Sequence, residues 1–409
     1  MNNTKEKGNK VFFPNLDGLR FVCFLSVFLF HSFATNYQYI KDSGLYHFVK
    51  GVLVANGNLG VNFFFVLSGF LITYLLFAEK EKYKKISIRN FYVRRVLRIW
   101  PLFYFCVFFG FVIFPVLKTA FGEVPSETAR PLFYLTFLNN IDVIKKGLPD
   151  SSVLGILWSV AVEEQFYLVW PVLLALIPRT RIRYVFIFII LSTLCFRIYY
   201  HNNPAVLEHH TFSCISDMAV GGYFAYLAFY NKSFLERLRM KRVTWWIVLY
   251  TAIAAVVLFR KMIFQGSALL TGLDRLVISV LFGLVIMEQN YARGSFYKMA
   301  NNRFFSRWGV YTYGLYCLHM IGLLIADKAL AFAGLNKNVY EVIFLGGTVS
   351  LLITLLLAYT SYHFYEKRFL NLKERFALIR TTNTYTDNGS EPLNIKARPW
   401  GKIRKRAST

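Results

Sequence analysis

The sequence is dominated by long apolar runs, ten of which are long enough to cross a bilayer. A helix needs about 20 apolar residues to span the hydrocarbon core. Because 56% of residues are apolar and 17% are charged, the 42 Phe and 26 Tyr residues cannot all lie in a water-soluble core. We therefore predict an all-α polytopic membrane protein with about ten transmembrane helices. The runs cover residues 19–37, 59–78, 99–118, 158–177, 184–200, 211–230, 245–263, 268–288, 308–330 and 341–365.

The distribution of basic residues predicts the orientation of these runs. Lys and Arg are retained on the cytoplasmic side of a membrane, and they are abundant after the second, fourth, sixth and eighth runs but sparse in the opposite loops. Both termini are therefore predicted to be cytoplasmic in a multi-pass protein of the plasma or inner membrane. The segment after the second run carries Lys80, Lys82, Lys84, Lys85, Arg89, Arg94, Arg95 and Arg98.

The net charge of +25 could indicate nucleic acid, an anionic membrane face or an anionic substrate. Because the predicted topology accounts for most of the basic residues, we predict no nucleic-acid partner. Residues 1–375 are predicted to form the ten-span domain, and residues 376–409 a polar, basic cytoplasmic tail, either solvated or lying on anionic lipid. The scattered single cysteines lack metal-type spacing, so no metal site is predicted.

Two ionisable residues lie within the first run. Ionisable side chains are costly in hydrocarbon and usually face a cavity or partner. Arg20 and His31 are 11 residues apart, close to three helical turns, so both are predicted on one face with His31 about 16 Å deeper than Arg20. An imidazole near mid-membrane could be a general base or nucleophile. The alternative is a histidine that only packs against a neighbouring helix.

Carboxylates occur in the predicted outer half of other runs. Ser159, Glu163 and Tyr167 repeat every fourth residue, which favours Glu163 as a cavity-facing group. Asp217 and Asp274 are predicted at a similar depth, so an acidic outer cavity is expected.

Arginines cluster where the third run begins. Arg94, Arg95 and Arg98 precede Trp100 and Pro101, and guanidinium groups bind phosphates through paired hydrogen bonds. The cluster could hold a nucleotide diphosphate. It could equally serve only to fix topology.

Four ordered motifs are spread over most of the chain: Asn15 to Arg20 followed by His31, then residues 60–73, 91–101 and 157–171. Together these motifs resemble the membrane acyltransferase-3 family, whose members transfer acyl groups to cell-surface sugars. Weaker similarity occurs at 313–319 and 365–367. Asn62 stands where many members carry an acidic residue.

The resemblance implies a cytoplasmic acyl-CoA co-substrate, most often acetyl-CoA, with no bound cofactor. It also implies transfer to a hydroxyl of a glycan or lipid-linked sugar reached from the outer face. His31 would be the base or acyl carrier, with Glu163 or another carboxylate orienting its ring. A polytopic transporter of a glycan or anionic solute, or a non-catalytic scaffold, remains an alternative. The other expected site residues are Arg20, Arg94, Arg95 and Arg98 for the donor, and Asp17, Asp217, Asp274 and His319 for the acceptor or support.

Overall fold

The computed structural model describes residues 11 to 379, and in this part of the chain every regular element is helical. The all-α fold class is therefore confirmed. Ten helices follow the ten apolar runs in order: α1 (Pro14–His31), α2 (Leu59–Tyr83), α3 (Ile88–Ala120), α4 (Ser152–Leu176), α5 (Ile182–Tyr199), α6 (Pro204–Tyr230), α7 (Val243–Leu258), α8 (Ala268–Tyr291), α9 (Thr312–Phe332) and α10 (Glu341–Glu374).

Shorter helices and local irregularities connect or interrupt these ten. Helices α4 and α6 each begin with a brief segment, Ser152–Gly155 and Pro204–His209, ahead of the main stretch. Wider π-helical turns occur within α3 and at both ends of the apolar part of α10. The connecting helices are Gln38–Lys41, Gly44–Phe48 with the π-helical Val49–Leu53 that continues it, Pro131–Leu135, Asn139–Lys146, Lys232–Arg239, Arg260–Phe264, Met299–Asn301 and Arg303–Gly309.

Between residues 11 and 379, eight helices are long and apolar enough to cross a membrane, against about ten predicted. Helix α7 has 16 residues and meets Lys232–Arg239 at 93°, and this bent pair would make a ninth span. Helix α1 is not among the eight because its first turns contain polar residues and it ends at His31. The predicted basic tail, from residue 380 onward, lies outside the described residues.

Helix α3 begins 11 residues before the apolar run that predicts it. It starts at Ile88, so Arg94, Arg95 and Arg98 lie on its first three turns rather than at the end of a loop. A helix fixes the spacing and direction of these side chains. The arginine cluster is therefore part of the rigid bundle.

Helices α2 and α6 pack closely because glycines face the partner backbone. A Cβ atom added at Gly221 would collide with the carbonyl oxygen of Val66, and one added at Gly69 would collide with that of Met218. Small residues allow such close approach in membrane bundles, where packing replaces the hydrophobic effect between helices. The two main apolar cores meet at this contact, since each core contains residues of α2 and residues of α6.

We expect Gly221→Ala to destabilise the bundle, because the added methyl group would meet backbone that cannot rotate away. Overpacking of this kind costs about 1–3 kcal/mol, which outweighs the gain in helix propensity of about 1 kcal/mol. The measurement is the thermal midpoint of the detergent-solubilised protein. Gly44→Ala is the matched control, since an added Cβ there meets nothing within 4 Å. Equal midpoints for the two variants would contradict the close packing.

Candidate functional site

A first cavity lies where α1 and α3 begin and α2 and α10 end, at the predicted cytoplasmic end of the bundle. Its volume is about 310 Å³, and its walls come from α1, α2, α3, α4, α9 and α10. The structure brings all four predicted donor-binding residues together in this wall: Arg20, Arg94, Arg95 and Arg98.

Three cations of this cavity have carboxylate partners. Arg20 pairs with Asp17 one turn earlier on α1, and Arg94 lies 3.6 Å from Glu79 at the end of α2. The Nζ atom of Lys373 lies 3.1 Å from a carboxylate oxygen of the adjacent Glu374. These pairs neutralise the rim of the cavity without using its two remaining arginines.

Arg95 and Arg98 make no hydrogen bond or ion pair with any residue from 11 to 379. The Arg95 guanidinium instead lies over the rings of Phe91 and Tyr167, at 5.4 and 5.3 Å from their centroids. Stacking of this kind holds the planar group in place while its N–H donors stay free. The first cavity thus contains two guanidinium groups whose N–H donors have no acceptor among residues 11 to 379.

Glu163 lines this same cavity. Its carboxylate accepts hydrogen bonds from Ser68 at 2.8 Å and from Tyr167 at 2.9 Å. Another carboxylate of the wall, Glu366, accepts from Ser361 at 2.9 Å. Hydroxyl groups therefore hold both carboxylates in place. The lining of the cavity includes five acidic and five basic side chains in all.

The structure does not bring Glu163, Asp217 and Asp274 into one acidic outer cavity. Asp217 is fully buried between α6 and α8, where Arg275 and Ser279 donate to it at 2.8 and 2.6 Å. Asp274 pairs instead with Arg260 at 2.6 Å. Each of these two acids is satisfied within the helix packing, so the predicted acidic cavity is absent at these positions.

The second cavity lies at the opposite end of the bundle and contains His31. Its volume is about 230 Å³. His31 is the last residue of α1, so it lies at a helix end. The lining includes Phe33, Phe114 and Met320 as apolar surface, with Asp327, Asn336 and Glu341 among its polar groups.

The backbone around His31 is held by unusual contacts. Lys50 donates to the carbonyl oxygens of Phe30 and Ser32, at 2.5 and 2.8 Å, and so satisfies the end of α1. Burial lowers the pKa of Lys50. Phe33 has a φ of 70°, a strained conformation for a bulky residue. Such strain is commonly found at functional sites.

His319 lies between the two cavities. Its ring centroid is 5.3 Å from that of His31 on the side of the second cavity and 5.8 Å from that of Tyr316 on the side of the first. Tyr316 and Ser159 line the first cavity and share a hydrogen bond of 2.7 Å between their hydroxyl groups. The order from one cavity to the other is therefore Tyr316, His319, His31.

Sequence reasoning did not assign several of these residues. Tyr316 and Glu366 fall within the weaker motifs, which could have identified them. Lys50 is one of the few basic residues in the predicted outer loops, and this is the only sequence feature that could have drawn attention to it. Glu79 gave no signal, because its partner Arg94 is on another helix. In residues 11 to 379, no group of three or more His, Cys, Asp or Glu side chains could hold a metal ion.

These features define a polytopic helical membrane protein with an arginine-lined cavity at one end and a histidine-bearing cavity at the other. The sequence model of a family described as an acyltransferase domain matches residues 13–363. The chain therefore belongs to this acyltransferase-3 family. No solved structure matches the fold.

The chain is similar to curated O-acetyltransferases of bacteria. It is 24% identical over 372 residues to the peptidoglycan O-acetyltransferase OatA of Listeria monocytogenes, covering 88% of this chain and 56% of that protein. It is 26% identical over 371 residues to the putative peptidoglycan O-acetyltransferase YrhL of Bacillus subtilis, covering 87% and 54%. With the O-acetyltransferase OatA of Staphylococcus aureus it shares 31% identity over 194 residues, 44% of this chain and 28% of that one. The chain thus spans about half the length of the first two relatives.

Proposed function

We propose that this protein is a multi-pass O-acyltransferase of the plasma or inner membrane, which moves an acetyl group from cytoplasmic acetyl-CoA to a glycan hydroxyl. The observation that carries the proposal is the state of Arg95 and Arg98. Neither guanidinium group has a hydrogen-bond or ion-pair partner among the described residues, whereas the other three cations of the cavity are paired with carboxylates. The phosphates of an acyl-CoA supply the polyanion that such a site binds. The relatives named above suggest peptidoglycan as the acceptor.

In this proposal the first cavity binds the donor. Arg95 and Arg98 hold the phosphates, while Arg20 and Arg94 shape the wall through their pairs with Asp17 and Glu79. Glu163 lies at the donor end, where its fixed carboxylate orients the donor rather than the ring of His31. No bound cofactor is required for this step.

The second cavity binds the acceptor. Aromatic and apolar side chains with a few hydrogen-bonding groups suit a sugar ring, and the lining around His31 combines both. The acceptor hydroxyl attacks the thioester carbonyl, a ring nitrogen of His31 takes the hydroxyl proton, and the carbon–sulfur bond breaks. The thiolate then leaves and takes up a proton. In the alternative route His31 first carries the acyl group.

We expect Arg98→Lys to raise the KM for acetyl-CoA about tenfold, because the planar guanidinium contact is lost while the positive charge remains. The loss corresponds to about 1.4 kcal/mol. Transfer of radiolabel from acetyl-CoA to glycan in isolated membranes measures it. Such transfer also distinguishes an acyltransferase from a transporter or scaffold.

Arg89→Lys is the matched control for this experiment. Arg89 lies on the same helix and is exposed, and it is not part of the cavity wall. Both substitutions preserve the charge that fixes topology. Equal KM values for the two variants would leave Arg98 with a topological role alone and remove the support for a donor site in the first cavity.

A further inference from the structure

We propose that His319 positions His31 by accepting a hydrogen bond from its ring N–H. This bond fixes which nitrogen of His31 carries the proton and leaves the other nitrogen to act as the base in the second cavity. The inference rests on the proposed function, in which His31 removes the acceptor proton.

The tautomer of His319 follows from its surroundings. The side chain is fully buried in α9, and its Nδ1 lies 2.5 Å from the carbonyl oxygen of Tyr316. A carbonyl oxygen can only accept, so Nδ1 must carry the proton. The Nε2 atom therefore has a free lone pair, and among the described residues it has no hydrogen-bond partner.

A buried hydrogen-bond acceptor without a partner destabilises the folded protein, so a packing role alone does not account for the unpaired Nε2 atom of His319. The rings around His319 are those of Phe24, Tyr316 and His31. Phe24 has no donor, and the Tyr316 hydroxyl is already engaged with Ser159 and the Ile156 carbonyl at 2.7 and 3.1 Å. Of these three rings, His31 is the one that can supply a free N–H.

The geometry requires a rotation of the His31 ring and no approach of the two imidazoles. Their centroids are 5.3 Å apart, a separation at which an N–H of one ring can reach a nitrogen of the other within hydrogen-bond distance. No carboxylate in residues 11 to 379 hydrogen-bonds to His31, and both oxygens of Glu163 are engaged elsewhere. His319 thus occupies the orienting place that sequence reasoning gave to a carboxylate.

The proton balance of this arrangement is simple. His31 takes the acceptor proton on its free nitrogen and becomes an imidazolium, while its other N–H stays bonded to His319 Nε2. His319 keeps its own proton on Nδ1 throughout. After the carbon–sulfur bond breaks, the thiolate removes the proton from His31, which restores the starting state.

Two substitutions separate positioning from packing. His319→Asn places an amide nitrogen near the Nδ1 position, where it can still donate to the Tyr316 carbonyl, but leaves no acceptor at the Nε2 position. His319→Gln is longer and brings an amide oxygen towards that position. We expect kcat to fall about 10²-fold in the Asn variant, because a misplaced base loses that much, with an unchanged KM for acetyl-CoA. The Gln variant should recover at least a tenth of wild-type kcat.

The kinetic constants and thermal midpoint of each variant are compared with His47→Asn, an exposed histidine on Gly44–Phe48. Wild-type kcat in the Asn variant, or equal losses in the Asn and Gln variants, would overturn the inference. Failure of the proposed function is separable, because it appears as retained transfer in His31→Ala. Loss in His31→Ala with full activity in His319→Asn rejects the positioning role alone.

Discussion

Replacing His31 by alanine should lower kcat about 10²–10⁴-fold, the usual contribution of a general base. Expression and membrane insertion should stay near those of the parent protein, and the thermal midpoint should fall by no more than the loss of one hydrogen bond to His319 explains. The reason is that His31 is the last residue of α1, so truncating its side chain leaves the rest of the helix in place. Transfer of radiolabelled acetyl groups to glycan, measured with the purified variant in lipid, tests this expectation.

His47→Ala is the matched control, since His47 is exposed and belongs to a short helix on the same side of the bundle. It should retain full activity. Wild-type turnover in His31→Ala would show that His31 only packs, and would remove the base from the proposed mechanism. A loss of activity accompanied by a loss of expression or membrane insertion would show that α1 needs the imidazole for folding, which also contradicts the expected result.

In sealed vesicles of known orientation, acetyl-CoA should support transfer only from the cytoplasmic face and the glycan only from the opposite face. The two cavities lie at opposite ends of the bundle, with Arg95 and Arg98 in one and His31 in the other. Highly charged acetyl-CoA does not cross lipid, so the expected change is from full activity to none when the donor is on the wrong side.

Detergent-permeabilised vesicles are the control, because they should be active whichever side receives the donor. Orientation is checked independently by labelling an introduced tag in the loop between α2 and α3. Equal activity with both substrates supplied on the cytoplasmic face alone would contradict the arrangement and indicate a one-sided transferase.

The sequence predicts which segments of this fold are helical better than it predicts the residues at which each helix begins and ends. Apolar length locates all ten helices, because burial in lipid depends on local composition. The start of α3 at Ile88 is not predicted by hydropathy, since its first turns are basic. Nor does hydropathy predict the end of α1 at His31, where Lys50 from the following connection donates to the carbonyl oxygens of Phe30 and Ser32.

Sequence patterns pointed to some residues that line the two cavities but not to their partners. Spacing placed Arg20 and His31 on one helix and favoured Glu163 as a cavity-facing group, and all three line a cavity, whereas Asp217 and Asp274 do not. It could not show that Glu163 shares a cavity with the arginines, because that depends on how α2, α3 and α4 pack. Nor could it place His319 beside His31, since the contact joins residues on the first and ninth helices.

The separation of the free arginines from His31 has a consequence for regulation. In the proposed mechanism Arg95 and Arg98 contact the phosphates, which acetyl-CoA and free CoA share, so this contact does not distinguish the donor from the spent carrier. Free CoA would therefore compete with acetyl-CoA for the first cavity. Turnover would then follow the ratio of acetyl-CoA to CoA in the cytoplasm.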